Sequence, residues 1–72
     1  MTNETLQDLF LNRLRKEHQV VTVFLVNGFQ IRCTVTGFDA FVVMVHAEGR
    51  QEMIFKHAIS TILPTVPVKL EA

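Results

Sequence analysis

Val20-Val21-Thr22-Val23-Phe24-Leu25-Val26-Asn27-Gly28-Phe29-Gln30-Ile31-Arg32-Cys33-Thr34-Val35-Thr36-Gly37 is the stretch that decides the fold. Its first seven residues are rich in valine with an aromatic among them, which suits a pleated, half-buried surface. Asn27-Gly28 is a strong signal for a two-residue hairpin turn. After it the chain alternates cleanly: Phe29, Ile31, Cys33 and Val35 face one way, Gln30, Arg32, Thr34 and Thr36 the other. A period of two predicts an antiparallel hairpin with one face on a core, ended by Gly37.

Outward from this hairpin the same grammar repeats. Phe41 to His46 predicts a third strand, Glu48-Gly49-Arg50 a turn, Gln51 to Lys56 a fourth strand, and Ile59 to Leu63 a fifth that stops at Pro64. Upstream the period changes. Residues 5 to 17 read as one helix, opened by Thr5 with Asp8 in a capping-box-like pair. Leu6, Leu9, Phe10 and Leu14 form its apolar stripe, and its last turn is basic, as the negative end of a helix dipole favours. The expected fold is mainly β: an N-terminal α-helix followed by a five-stranded, strongly bent antiparallel barrel. One domain is expected over residues 1–64, with a short, extended or disordered tail over 65–72.

Seventy-two residues bury only about 60% of their unfolded surface, so the core is thin for a chain that is 49% hydrophobic. Self-association is the expected outlet for the surplus. The lone Cys33 excludes an internal disulfide, and His18, His46 and His57 lack metal-ligand spacing, so no metal and no cofactor is expected. The longest apolar run, Phe41 to Val45, is far short of a membrane span of about 20 residues. Met1-Thr2-Asn3-Glu4-Thr5 has no basic region followed by an apolar one, and with a single thiol a cytoplasmic location is expected.

Chemistry concentrates in Phe55-Lys56-His57-Ala58-Ile59-Ser60-Thr61. A lysine beside a histidine offers a phosphate-seeking charge and a ring that donates hydrogen bonds and stacks. Phe24, Phe38, Phe41 and Phe55 lie near polar or basic neighbours, and base stacking on such rings contributes about 1–3 kcal/mol each in single-strand binders. Net charge is zero, but Arg13, Arg15 and Lys16 fall within four positions. No carboxylate pair, glycine-rich phosphate loop or nucleophile with a base partner is present, so the chain is not expected to be an enzyme.

Leu6-Gln7-Asp8 with Phe10-Leu11-Asn12, then Val26-Asn27-Gly28, then Gly37-Phe38-Asp39 with Phe41-Val42, and finally Lys56-His57-Ala58-Ile59-Ser60-Thr61 resemble, in order, the pattern of Hfq, the bacterial Sm-like RNA chaperone family. The resemblance implies a homohexameric ring closed by pairing the fourth strand of one subunit with the fifth of the next. It implies a proximal face for uridine-rich RNA using Gln7, Phe41, Lys56 and His57, with Phe41 stacking, Lys56 and Gln7 reading the base edge, and His57 meeting phosphate or sugar. It implies a distal face for adenine-rich RNA using Phe24, Gly28, Phe29, Gln30, Arg32, Ser60 and Thr61. Rim contacts fall to Asn12, Arg15, Lys16 and Phe38. The implied activity is pairing of small regulatory RNA with mRNA in post-transcriptional regulation. The alternative is an Sm-like barrel serving as a protein-interaction scaffold. Four positions depart from the family's common pattern: Ala40 replaces a long polar residue, Glu52 a neutral one, Phe55 a tyrosine and Cys33 a glycine.

Overall fold

A computed structural model describes residues 5–70; the expectations for residues 1–4 and 71–72 lie outside it. Helix α1 (Leu6–Glu17) starts as the sequence predicts, with the Asp8 amide donating to the Thr5 hydroxyl at 3.1 Å. It ends at His18, whose amide donates to the carbonyls of Arg15 and Leu14 and whose left-handed backbone (φ 51°) turns the chain so that the Gln19 amide also reaches the Leu14 carbonyl. The buried face differs from the expected stripe. Leu11 and Leu14 carry the contact with Phe10 packed beside them, whereas Leu6 is 69% exposed. Leu9 is half-buried, and Leu6 at the helix start lies outside the packed face.

Five antiparallel strands follow: β1 (Val20–Leu25), β2 (Gln30–Phe38), β3 (Val42–Ala47), β4 (Arg50–Phe55) and β5 (Ile59–Pro64), in the sheet order β4-β3-β2-β1-β5. Strands β4 and β5 are consecutive in the chain yet lie at opposite edges. Laid flat, four strand spacings would separate them by about 19 Å. The connector is a single 3-10 turn, Lys56–Ala58, with a rise of about 2 Å per residue. The sheet must therefore curl until its two ends approach, which is the strongly bent architecture expected from the sequence, open between β4 and β5.

Two bulges help the curl. Val35 pairs with Val45 and Gly37 with Met44, leaving Thr36 as the extra residue of β2. Gly37 is thus a bend within the strand rather than its end, and β2 continues to Phe38. Ser60 is likewise extra where Phe24 pairs with Thr61 and Leu25 with Ile59.

Inside the curl lie Val21, Val23, Cys33, Val35, Val43, Val45, Ala47 and Ile54 with Leu11 and Leu14 from the helix. Seven of these side chains are under 2% or at 2% exposed, and fully burying a valine or leucine contributes about 1.5–3 kcal/mol. Beyond β5, the Thr65 amide donates to the Val20 carbonyl, the Val66 amide donates to Gln19 Oε1 at 2.9 Å, and Val68 packs on the core margin.

The turns are placed as expected but built differently. At the first hairpin, the Gly28 amide donates to the Leu25 carbonyl and the Leu25 amide to the Phe29 carbonyl, so the loop holds three residues, Val26, Asn27 and Gly28. Gly28 alone takes positive φ (96°), while Asn27 accepts the Phe29 amide through Oδ1 at 3.0 Å. The two-residue turn with both φ values positive is Glu48–Gly49 (51° and 76°), between the paired Ala47 and Arg50.

Candidate nucleic-acid interface

Residues far apart in the chain converge where α1, the β2–β3 loop and the 3-10 turn meet. Lys56 Nζ donates to Gln7 Oε1 at 2.6 Å and lies over the Phe38 ring, 5.7 Å from its centroid. The Lys56 amide donates to the Phe41 carbonyl at 2.8 Å, which fixes the turn against the start of β3. The Phe41 ring is 74% exposed. A cation held by an amide and an aromatic face thus adjoins a free stacking surface.

Asp39 builds this loop. Its Oδ1 accepts the amides of Phe41 at 2.8 Å and Val42 at 2.9 Å, and its own amide donates to the Val42 carbonyl. The bond from Phe41, then that from Val42, holds the carboxyl below the ordinary aspartate range, and the Lys56 charge adds to this. Asp39 is not among the site residues expected from the sequence. Its signal was present in Asp-Ala-Phe, since an aspartate two residues before a strand caps the exposed amides of an Asx turn.

The structure brings Gln7, Phe41 and Lys56 together and adds Phe38, which was expected at the rim. His57 is exposed and stacks on Phe55, ring centroids 5.7 Å apart at 20°. The segment holding both residues is a tight turn rather than the end of a strand.

On β1, β2 and β5, Phe24 is paired with Gln30 on one side and Thr61 on the other, with the Ser60 and Thr61 hydroxyls 3.4 Å apart. Gly28 and Phe29 sit at the exposed hairpin tip, the Phe29 ring 68% exposed. Arg32 pairs across from Thr22 and lines a cleft of about 230 Å³ with Gln30, Ile31, Ala47, Glu48, Arg50 and Glu52. Glu48 and Arg50, not among the residues expected from the sequence, join this cleft only because the β3–β4 turn folds against β2. Burial pushes the Cys33 thiol up to about 11, and the charge of Glu52 adds to it.

On α1, Arg15 donates to Asn12 Oδ1 at 2.6 Å, Arg13 pairs with Glu17 at 3.6 Å, and Lys16 is exposed. Among the described residues no group of His, Cys, Asp and Glu could hold a metal, and no helix is long and apolar enough to cross a membrane.

A family model described as Hfq protein matches residues 6–69. A relative named RNA-binding protein Hfq from Moorella thermoacetica is 58% identical over 71 residues, covering 99% of this chain and 84% of the relative. One of the same name from Bacillus subtilis strain 168 is 58% identical over 66 residues, covering 92% and 90%. A crystal structure described as the pleiotropic translational regulator Hfq superposes with a TM-score of 0.80 at 39% identity, covering 82% of this chain and 98% of that one.

Proposed function

The chain belongs to the Hfq protein family, a family of RNA-binding proteins rather than enzymes, and from that premise we propose that it is an RNA chaperone acting in the cytoplasm as a homohexameric ring. The observation that carries this reading is the convergence of Gln7, Phe38, Phe41 and Lys56 from three elements. An oriented cation and amide beside an exposed ring supply charge, edge contacts and stacking for a single-stranded base. In the ring, six copies of Lys56 and His57 surround the pore and bind uridine-rich ends on the proximal face. Phe24, Gly28, Phe29, Gln30, Arg32, Ser60 and Thr61 form a distal face for adenine-rich RNA, with Asn12, Arg15 and Lys16 at the rim. Holding a small regulatory RNA and an mRNA on separate surfaces raises their effective concentration for pairing.

Titration of labelled oligo-uridine and oligo-adenine against wild type, Lys56→Ala and Arg32→Ala tests this. Wild type is expected to bind both RNAs with Kd below about 10 μM at moderate salt. Lys56→Ala should lose the uridine oligomer selectively and Arg32→Ala the adenine one. With about six phosphates engaged, the log–log salt slope for oligo-uridine should lie near −4. Failure of wild type to bind either RNA overturns the reading in favour of a protein-interaction scaffold.

A further inference from the structure

The cleft beside Arg32 has a chemistry that adenine does not match. Its floor is apolar, from Ile31 and Ala47, and its walls carry two guanidinium groups, Arg32 and Arg50, two carboxylates, Glu48 and Glu52, and the Gln30 amide. The formal charges cancel, so the cleft is not a phosphate site. Its volume of about 230 Å³ falls below the roughly 300 Å³ where drug-sized pockets begin, a scale suited to one base.

Glu52 breaks the pattern of its strand. It pairs with the fully buried Val45 and alternates with the buried Ile54, so it occupies a core-facing position of β4. There the carboxylate is half-buried and makes no side-chain hydrogen bond or ion pair, the only ion pair among the described residues being Arg13–Glu17. A partly desolvated acceptor without a donor is costly unless a ligand supplies one. Charged groups that violate a local pattern without structural compensation mark functional positions.

We propose that this cleft is a guanine-reading subsite, with Glu52 accepting from the base and Arg32 or Arg50 donating to it. This rests on the reading of the surface around Arg32 as an RNA-binding face. A carboxylate only accepts and a guanidinium only donates. Guanine alone among the four bases offers two adjacent donors, N1–H and the N2 amino group, on one edge and two adjacent acceptors, O6 and N7, on another. The first edge fits a bidentate carboxylate and the second is the usual partner of arginine. Adenine turns the N1 lone pair toward the same carboxylate and is repelled. Cytosine and uracil each place an acceptor beside their single donor position.

Fluorescence anisotropy on the full chain with three 18-nucleotide RNAs tests it: all-adenine, (AAG)6 and (AAI)6, where inosine keeps O6, N7 and N1–H but lacks the N2 amino group. Wild type is expected to prefer (AAG)6 over all-adenine by at least about five-fold, from the roughly 1–3 kcal/mol of a good bidentate contact. The inosine RNA should fall between them. Because the cleft is charge-neutral, this ratio should hold from 50 to 300 mM salt while both affinities fall. Glu52→Gln should reduce the ratio below two-fold. Equal wild-type affinities for the adenine and guanine RNAs, or a ratio that survives Glu52→Gln, overturn the guanine assignment while leaving the RNA-binding reading of this face intact. Binding of neither RNA overturns that reading as well.

Discussion

Asp39 shows how one exposed carboxylate fixes the backbone of the residue proposed to stack on a base. By taking two consecutive amides it fixes the backbone from which Phe41 projects, and a ring held in place loses less freedom on stacking than one on a loose loop. Asp39→Ala should therefore weaken oligo-uridine binding by about three- to ten-fold, with Asp39→Asn, which keeps an acceptor oxygen, falling less. Oligo-adenine affinity provides the internal control and should not change. The pH dependence has a definite sign. Because the folded-state value is depressed, the loop's stabilisation is present above the ordinary aspartate range and is lost as pH falls through the lowered value. The amide resonances of Phe41 and Val42 should share that midpoint in an NMR titration, and independent midpoints would break the link. Lys56 was legible in the sequence as a cation beside a histidine, and the family resemblance set Gln7, 49 positions away, with it; Phe38, 18 positions away and expected at the rim, joins them only once the chain folds.

Among the elements, the turns separate what local sequence can specify from what pairing imposes. Asn27-Gly28 has the residue types of a two-residue turn, yet strand register places three residues in that loop and leaves Asn27 at negative φ. The primed turn falls at Glu48–Gly49, where glutamate is an unfavourable occupant of positive φ and glycine alone is suited to it. Gly49→Ala should lower Tm by roughly 5–15 °C, from the approximately 1–2 kcal/mol cost of a side chain in that region. Gly37→Ala makes the contrast, since its backbone lies outside that region and an added methyl meets nothing within 4 Å; its Tm should stay within a few degrees of wild type. A smaller effect for Gly49→Ala than for Gly37→Ala, read by thermal unfolding, would refute the turn assignment. The strands themselves were legible because alternation is a property of each segment alone. Bulges at Thr36 and Ser60, the 3-10 turn at Lys56–Ala58 and the Leu11–Leu14 helix face were not, because each depends on which partner lies alongside.

For the whole molecule the decisive fact is that consecutive strands occupy the two free edges. β4 and β5 each present an unpaired row of backbone donors and acceptors, a template for another chain unless covered. Their protection is local: Glu52 turns a charge inward on β4, and β5 carries the Ser60 bulge and ends at Pro64. Met53 and Phe55 on β4 are 53% and 49% exposed and Leu63 on β5 is 56% exposed, so an apolar strip accompanies each open edge. Joining β4 of one copy to β5 of the next is head-to-tail, an arrangement whose closed form is a ring. Six copies of an 8.2 kDa chain should sediment at about 49 kDa. Met53→Lys, which charges the β4 edge without entering the core, should shift that species toward monomer while preserving the β-sheet circular dichroism. Its RNA affinity should fall by about 10²-fold or more, since six linked sites become single ones. A wild-type chain that remains at 8.2 kDa at micromolar concentration would remove the ring, and a Met53→Lys monomer that binds RNA as tightly as wild type would show that binding never depended on it.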